Sequence, residues 1–230
     1  MLEIKNLSKS FGKNKILNDI NLQVKSGECI GILGSNGAGK TTLMELIVGQ
    51  IKPSNGEILI DGEKNTYRKV GIQFQEGMWP MGVSSKILVK FFKNNWFKET
   101  DEDTKKLLEI FEIEELLKKD LNNLSGGQKQ RVNCFLAVIN NPQYIFLDEM
   151  ISGLDLKMQL KLITYFKNLK EQGKTIVLIS HNTEEVEELC DRVVILNNGQ
   201  IFLDESTKEI VKKYGSIRKM LIEYYKNHAE

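Results

Sequence analysis

Gly34 to Thr42 reads Gly-Ser-Asn-Gly-Ala-Gly-Lys-Thr-Thr, and a chain carrying that stretch has little choice of fold around it. Before it lies the apolar run Cys29-Ile30-Gly31-Ile32-Leu33; after it comes Leu43-Met44-Glu45-Leu46-Ile47-Val48, with helical spacing, stopped by Gly49. The order is strand, glycine loop, helix, the setting that a phosphate-binding loop of the form G-x-x-x-x-G-K-[ST] needs. The glycines let successive backbone N–H groups turn toward one anion, and the start of the helix adds its positive end. Lys40 supplies a compact charge for terminal phosphates, and the Thr41 hydroxyl is a candidate Mg²⁺ ligand. Gly34, Ser35, Asn36, Gly37, Ala38, Gly39, Lys40, Thr41 and Thr42 are the candidate phosphate-binding residues.

The 230 residues suffice for one large domain, and 41% hydrophobic with 27% charged content is that of an ordinary globular chain. A net charge of +1 offers no bulk attraction to nucleic acid or to an anionic membrane. Apolar runs such as Ile87-Leu88-Val89 fall far short of the roughly 20 residues of a membrane helix. Met1-Leu2-Glu3-Ile4-Lys5 has no signal-peptide core, so a cytoplasmic protein is expected. Cys29, Cys134 and Cys190 have no metal or redox spacing and read as buried free thiols.

Along the chain, Leu2–Ile4 and Lys15–Val24 read as edge strands, 57–62 and 70–75 as further strands, and Asn55-Gly56 and Asn198-Gly199 as two hairpins with the same turn chemistry. From Ser84 to about Leu121 the spacing is helical, with Ile87, Leu88, Phe91 and Phe92 on one side, which marks a helical lobe inserted into the core. Strands then alternate with helices at Tyr144–Leu147, Leu156–Leu169, Thr175–Ile179, Glu184–Leu189 and Arg192–Leu196, which predicts a mostly parallel sheet covered on both faces. Ile217 to Tyr225 forms a terminal amphipathic segment expected to pack on the body.

Ligands of such sheets bind beyond the carboxyl ends of the strands. The glycine loop, Gln75, Asp148-Glu149 and His181 all fall at expected strand ends. Asp148 and Glu149, adjacent on a strand, are expected to point to opposite faces, which separates their roles: Asp148 toward Mg²⁺, Glu149 toward an attacking water. His181 is a candidate donor to a terminal phosphate; the other histidine, His228, lies in the tail.

Leu124-Ser125-Gly126-Gly127-Gln128, taken with the glycine loop and the apolar strand ending Leu147-Asp148-Glu149, resembles the nucleotide-binding subunit of ABC transporters, over essentially the whole chain. The resemblance implies an α/β fold: a P-loop NTPase core with a mostly parallel sheet, an antiparallel β-subdomain and an inserted helical signature subdomain. It makes 1–230 one ATPase domain, with 1–83 and 141–230 as the core and about 84–140 as the helical lobe. It implies ATP and Mg²⁺ as ligands, Gln75 as the glutamine contacting Mg²⁺ and water, Ser152-Gly153-Leu154-Asp155 as the segment following the catalytic glutamate, and Glu149 and His181 as catalytic residues. Phe11 falls where an aromatic ring stacks on adenine. Ser125, Gly126, Gly127 and Gln128 would complete the ATP site of a second copy, so one subunit holds half of each site. Ser35, Met150 and the bulky Cys134-Phe135 depart from the family's common residues without removing a phosphate, metal or water contact.

The same resemblance implies an ATPase, peripheral on the inner face of the cell membrane, that powers a separate transmembrane permease. The apolar stretch Gly77-Met78-Trp79-Pro80-Met81-Gly82 is a candidate contact with it. Export of a drug, peptide or similar cargo is the expected direction. The competing reading, a soluble ATPase of this family acting on nucleic acid or ribosomes, is disfavoured by the near-neutral charge and the single signature. No nucleic-acid partner is expected.

Overall fold

A computed structural model describes residues 1–64, 69–73, 79–94 and 100–227. Gln75, Gly77, Met78 and His228 lie outside these residues.

The first layer is a three-stranded antiparallel sheet of β1 (Leu2–Phe11), β2 (Asn14–Val24) and β4 (Asn55–Ile60), in the order β2-β1-β4. The sequence marks the first strand as an edge; instead β1 is central, because β4 returns to pair along its other side, Leu2 opposite Ile60. Asn55-Gly56 also differs from expectation. It is no hairpin turn but the start of β4, where the register slips between Lys5 and Ser8 of β1. Asn198-Gly199 is a turn as expected: both residues have positive φ, 46° and 73°, and join β8 (Arg192–Asn197) to β9 (Gln200–Ser206).

The second layer is a six-stranded sheet in the order β5-β6-β7-β3-β8-β9, built from β3 (Cys29–Leu33), β5 (Val70–Gln73), β6 (Tyr144–Asp148), β7 (Thr175–Ile179), β8 and β9. Every pairing is parallel except β8–β9. Strands β3, β6 and β7 are buried at every residue, which is why they read as unbroken apolar runs. Their side chains alternate between two cores. Ile30, Ile32, Phe146, Val177 and Ile179 face the three-stranded sheet and α1 (Lys40–Ile47), whereas Leu33, Ile145, Leu147, Ile176 and Leu178 face the other core.

Between β5 and β6 come α2 (Ser85–Phe92), α3 (Glu102–Ile110) and α4 (Gly126–Val138). One continuous cluster runs from Leu108, Phe111 and Leu121 through Phe135 onto the sheet. The buried face of α2 differs from expectation: Leu88 and Val89 point inward while Ile87, Phe91 and Phe92 are exposed. Ser85 takes an inward position, which rotates the apolar spacing away from the core. Helices α5 (Leu156–Glu171) and α6 (Thr183–Leu189) follow β6 and β7; α7 (Thr207–Tyr214) and α8 (Ile217–Asn227) close the described chain. Ile217, Met220 and Tyr224 are buried, so α8 packs on the body as its spacing predicts. The three cysteines are free and buried, and Cys29 and Cys190 bring their Sγ atoms to 3.5 Å.

Helix α4 lies hard against β5, and Gly71 marks the closest approach. A Cβ at Gly71 would collide with the Ala137 carbonyl and stand 2.6 Å from Pro142 Cγ. Backbone cannot give way as a flexible side chain does. Gly71→Ala is therefore expected to lower the unfolding free energy by about 1–3 kcal/mol, read as a lower urea midpoint at an unchanged slope.

Candidate functional site

The glycine loop leaves β3 and turns into α1 at Gly39, whose φ of 102° is open to glycine at little cost. A side chain there would also meet Leu17 Cδ2 at 2.6 Å. No side chain caps α1, and its first turn carries no acid. Leu43 N–H is the first to bond back along the helix, to Gly39 O at 2.8 Å, so the amides of Lys40, Thr41 and Thr42 have no partner in the helix ladder. Lys40 is buried at 7% exposure, and its Nζ donates to Gly34 O at 2.8 Å and Ser35 O at 3.0 Å. Burial lowers its pKa, against the raising pull of Asp148 and Glu149.

Strand β6 delivers Asp148. Its peptide is held on both sides: Gln73 Nε2 donates to Asp148 O at 2.7 Å, and Asp148 N–H donates to Gln73 Oε1 at 2.9 Å. Burial pushes the Asp148 carboxyl up to about 6, with the Glu149 charge adding and Lys40 opposing. The next residue corrects a sequence-based expectation. Glu149 does not continue the strand; its φ is +53°, and it bonds through N–H to Ile179 O at 2.8 Å. The alternation of strand side chains therefore ends at Asp148, and both carboxylates line one cavity instead of opposite faces.

That cavity, of about 590 Å³, gathers Asn36, Gly37, Gly39, Lys40, Thr41, Thr42, Asp148, Glu149 and His181, with Ile16 and Ile179. His181 follows β7, and its Nε2 stands 3.4 Å from Glu149 Oε1. Gly34, Ser35 and Ala38 build the loop from beneath: two carbonyls hold Lys40, and Ala38 N–H bonds Ser35 O at 3.2 Å. Phe11, half-exposed at the end of β1, is not among the lining residues; its ring lies under Lys9 Nζ at 4.7 Å.

Ser125, Gly126, Gly127 and Gln128, at the start of α4, are not among the residues lining this cavity. They form a capping box: Ser125 Oγ accepts from Gln128 N–H at 3.3 Å, and Ser125 N–H donates to Gln128 Oε1 at 3.1 Å. Gln128 thus has a helix-capping task beside the ligand contact expected of it. Gln75 lies outside the described residues.

A second cavity of about 200 Å³ shares Glu149 and His181 with the first and adds Gln159, Ser180 and Glu185. Glu185 is 1% exposed, and Ser180 Oγ donates to its Oε2 at 2.5 Å while accepting from Asn182 N–H at 3.0 Å. Among the described residues its Oε1 has no hydrogen-bond partner. Glu185 and Gln130 are buried polar residues that sequence reasoning misses, and Gln73 is one it sets aside as two positions too early for the role given to Gln75. They form no motif; Gln73 and Gln130 are recognised by the distant peptide groups they bond, and Glu185 by the Ser180 hydroxyl.

Against known proteins, a family model described as ABC transporter matches residues 17–152. The spermidine/putrescine import ATP-binding protein of Haemophilus influenzae is 34% identical over 91% of this chain and 59% of its own length. The chain thus spans less than two thirds of such relatives. The Nod factor export ATP-binding protein I of Rhizobium johnstonii is 34% identical over 86% of this chain and 67% of its own. Among solved structures, an ATP-binding subunit of an ABC transporter superposes with TM-score 0.86 at 25% identity, over 97% and 98% of the two chains. A dimeric post-hydrolysis ATP-binding cassette bound to ADP and Pi gives 0.80 at 28% identity, over 90% of this chain and 99% of that one.

The buried Glu185 carboxyl sets a pH dependence of stability. Burial, and then the Glu149 charge, raise its pKa from 4.5 to about 7, although the Ser180 hydrogen bond lowers it. A raised acid binds its proton more tightly in the folded chain. Its contribution is full below about 4.5 and is lost as pH rises through about 7, a loss of at most about 3 kcal/mol. Glu185→Gln is expected to flatten the fall of the thermal midpoint between pH 5 and 8. Parallel wild-type and variant curves would contradict this.

Proposed function

The chain belongs to the ABC transporter family, and on that basis we propose that it binds and hydrolyses ATP in the 590 Å³ cavity to power transport through a separate membrane protein. The observation that carries this reading is the convergence of Lys40, Thr41, Asp148, Glu149 and His181 on one cavity.

The free amides at the start of α1 and the Lys40 ammonium receive the phosphates, in a pocket where burial strengthens both. The residues present fit Mg²⁺. Thr41 and Asp148 offer hard oxygen donors, and two neighbouring carboxylates leave negative charge for a cation to balance. Bound there, the metal would neutralise charge developing on the transferred phosphoryl group. Glu149 orients and accepts a proton from the attacking water, and His181 at 3.4 Å steadies its carboxylate and donates toward the terminal phosphate. The family resemblance makes Phe11, although it does not line the cavity, the candidate ring to stack on the base, and Gln75 the candidate to contact metal and water.

Ser125 to Gln128, which do not line the cavity, meet the nucleotide of a second copy. A dimeric cassette among the similar structures supports that pairing. The partner in the membrane is a permease; no helix among the described residues is long and apolar enough to cross one. It holds the chain at the membrane's inner face from the cytoplasmic side. The exporter expectation gains no support from the relatives, whose names include spermidine/putrescine import as well as Nod factor export. The energy-coupling role stands for either direction.

Glu149→Gln is expected to bind ATP as wild type does, to lose at least a hundredfold in turnover, and to accumulate as an ATP-dependent dimer in size-exclusion chromatography. Normal turnover by this variant refutes the reading. Lys40→Met is expected to weaken nucleotide binding itself, measured by equilibrium dialysis.

A further inference from the structure

Helix α4 reaches the catalytic segment of its own chain. Gln130, five residues past Ser125, is buried, and its Nε2 donates to Glu149 O at 2.6 Å and to Met150 O at 3.0 Å. These carbonyls stand where the chain leaves β6. Glu149 holds a left-handed φ of +53°, a strained conformation for a non-glycine residue that persists only where its surroundings impose it. The surroundings do so from two sides: β7 takes the Glu149 N–H through Ile179 O, and α4 takes the Glu149 carbonyl through Gln130.

The contact extends along one stripe of the helix. A Cβ on Gly127 would lie 2.8 Å from Gly153 O, and Cys134 Sγ lies 3.6 Å from Met150 O. Positions 127, 130 and 134 are spaced three and four apart and share a face. All three touch residues 149–153.

We propose that Gln130 is a positioning residue for Glu149: by holding the carbonyls of Glu149 and Met150 it aims the carboxylate and makes the start of α4 and the general base move as one body. The proposal rests on the function given above. Under it, Ser125 reads the nucleotide of the opposing copy, so α4 carries the state of that site to the carboxylate serving this chain's own ATP. The coupling is a rigid chain of contacts with a defined joint, which a substitution can uncouple.

The test uses the full chain with Gln130→Met, which keeps length and removes the N–H donor. Three readouts are compared with wild type: steady-state ATP hydrolysis with Mg²⁺, ATP-dependent dimerisation in the Glu149→Gln background, and hydrogen exchange of amides 149–154 without nucleotide. The expected result is a kcat lower by ten- to a hundredfold, a KM for ATP within twofold, retained dimerisation, and exchange at least tenfold faster at the Ser152 amide, which bonds Glu149 O. An unchanged kcat beside an active wild type overturns the proposal, as does a KM rising in step with lost nucleotide binding. A wild type that hydrolyses no ATP refutes the proposed function instead; the exchange readout then decides the tether, and unchanged exchange at 149–154 overturns it. If Gln130→Met does not fold, Gln130→Ala is read by the same criteria.

Discussion

The site depends on the register of three buried parallel strands. Ile32 of β3 lies opposite Ile179 of β7, and Ile179 lies opposite Asp148 of β6. Each strand ends within a residue or two of that line, so the glycine loop, the acidic pair and the His181 turn leave the sheet at one level. A slip of one residue in either pairing would exchange the two cores and turn Asp148 away from Lys40. Complete burial makes such a slip costly, because the apolar side chains of β3, β6 and β7 are committed to a core on one face or the other. The precision of a polar site is thus set by apolar packing on strands that contribute few polar atoms to it.

Where the sheet ends, side chains continue its bonding. Gln73 makes two hydrogen bonds to the peptide of Asp148, one accepting and one donating, as a further strand residue would. Gln130 takes the next carbonyl along, and Ser180 with Glu185 ties the turn after β7. Burial disfavours the charged forms of both Asp148 and Lys40, and the neighbouring Glu149 charge adds to the cost at Asp148 while Lys40 offsets part of it. The backbone beneath them must therefore be held by bonds that do not depend on those charges.

This division explains what could be read from the sequence. The phosphate loop is legible because its glycines and its lysine act locally, at fixed spacing along one turn. The alternation of strands and helices is legible because burial on both faces leaves unbroken apolar runs. Glu149 misleads because alternation presumes a continuing strand, and its left-handed φ is imposed by Ile179 and Gln130, which are distant in sequence. Phe91 and Phe92 mislead because spacing gives a helix face but not its rotation; Leu88 and Val89 take the core instead. β1 reads as an edge because its second partner, β4, arrives some fifty residues later. Glutamines such as Gln73 and Gln130, whose hydrogen bonds reach peptide groups distant in sequence, leave no pattern at all.

The capping box at the start of α4 fixes how that end presents its hydrogens. Ser125 Oγ accepts from Gln128 N–H, and Gln128 Oε1 accepts from Ser125 N–H, so both side chains are held against the first turn. That turn bears no acid, and the N–H groups at the start of a helix lack partners in its ladder. The end of α4 therefore carries the positive side of the helix dipole with no carboxylate to offset it, an arrangement set by a local fold before any partner has arrived.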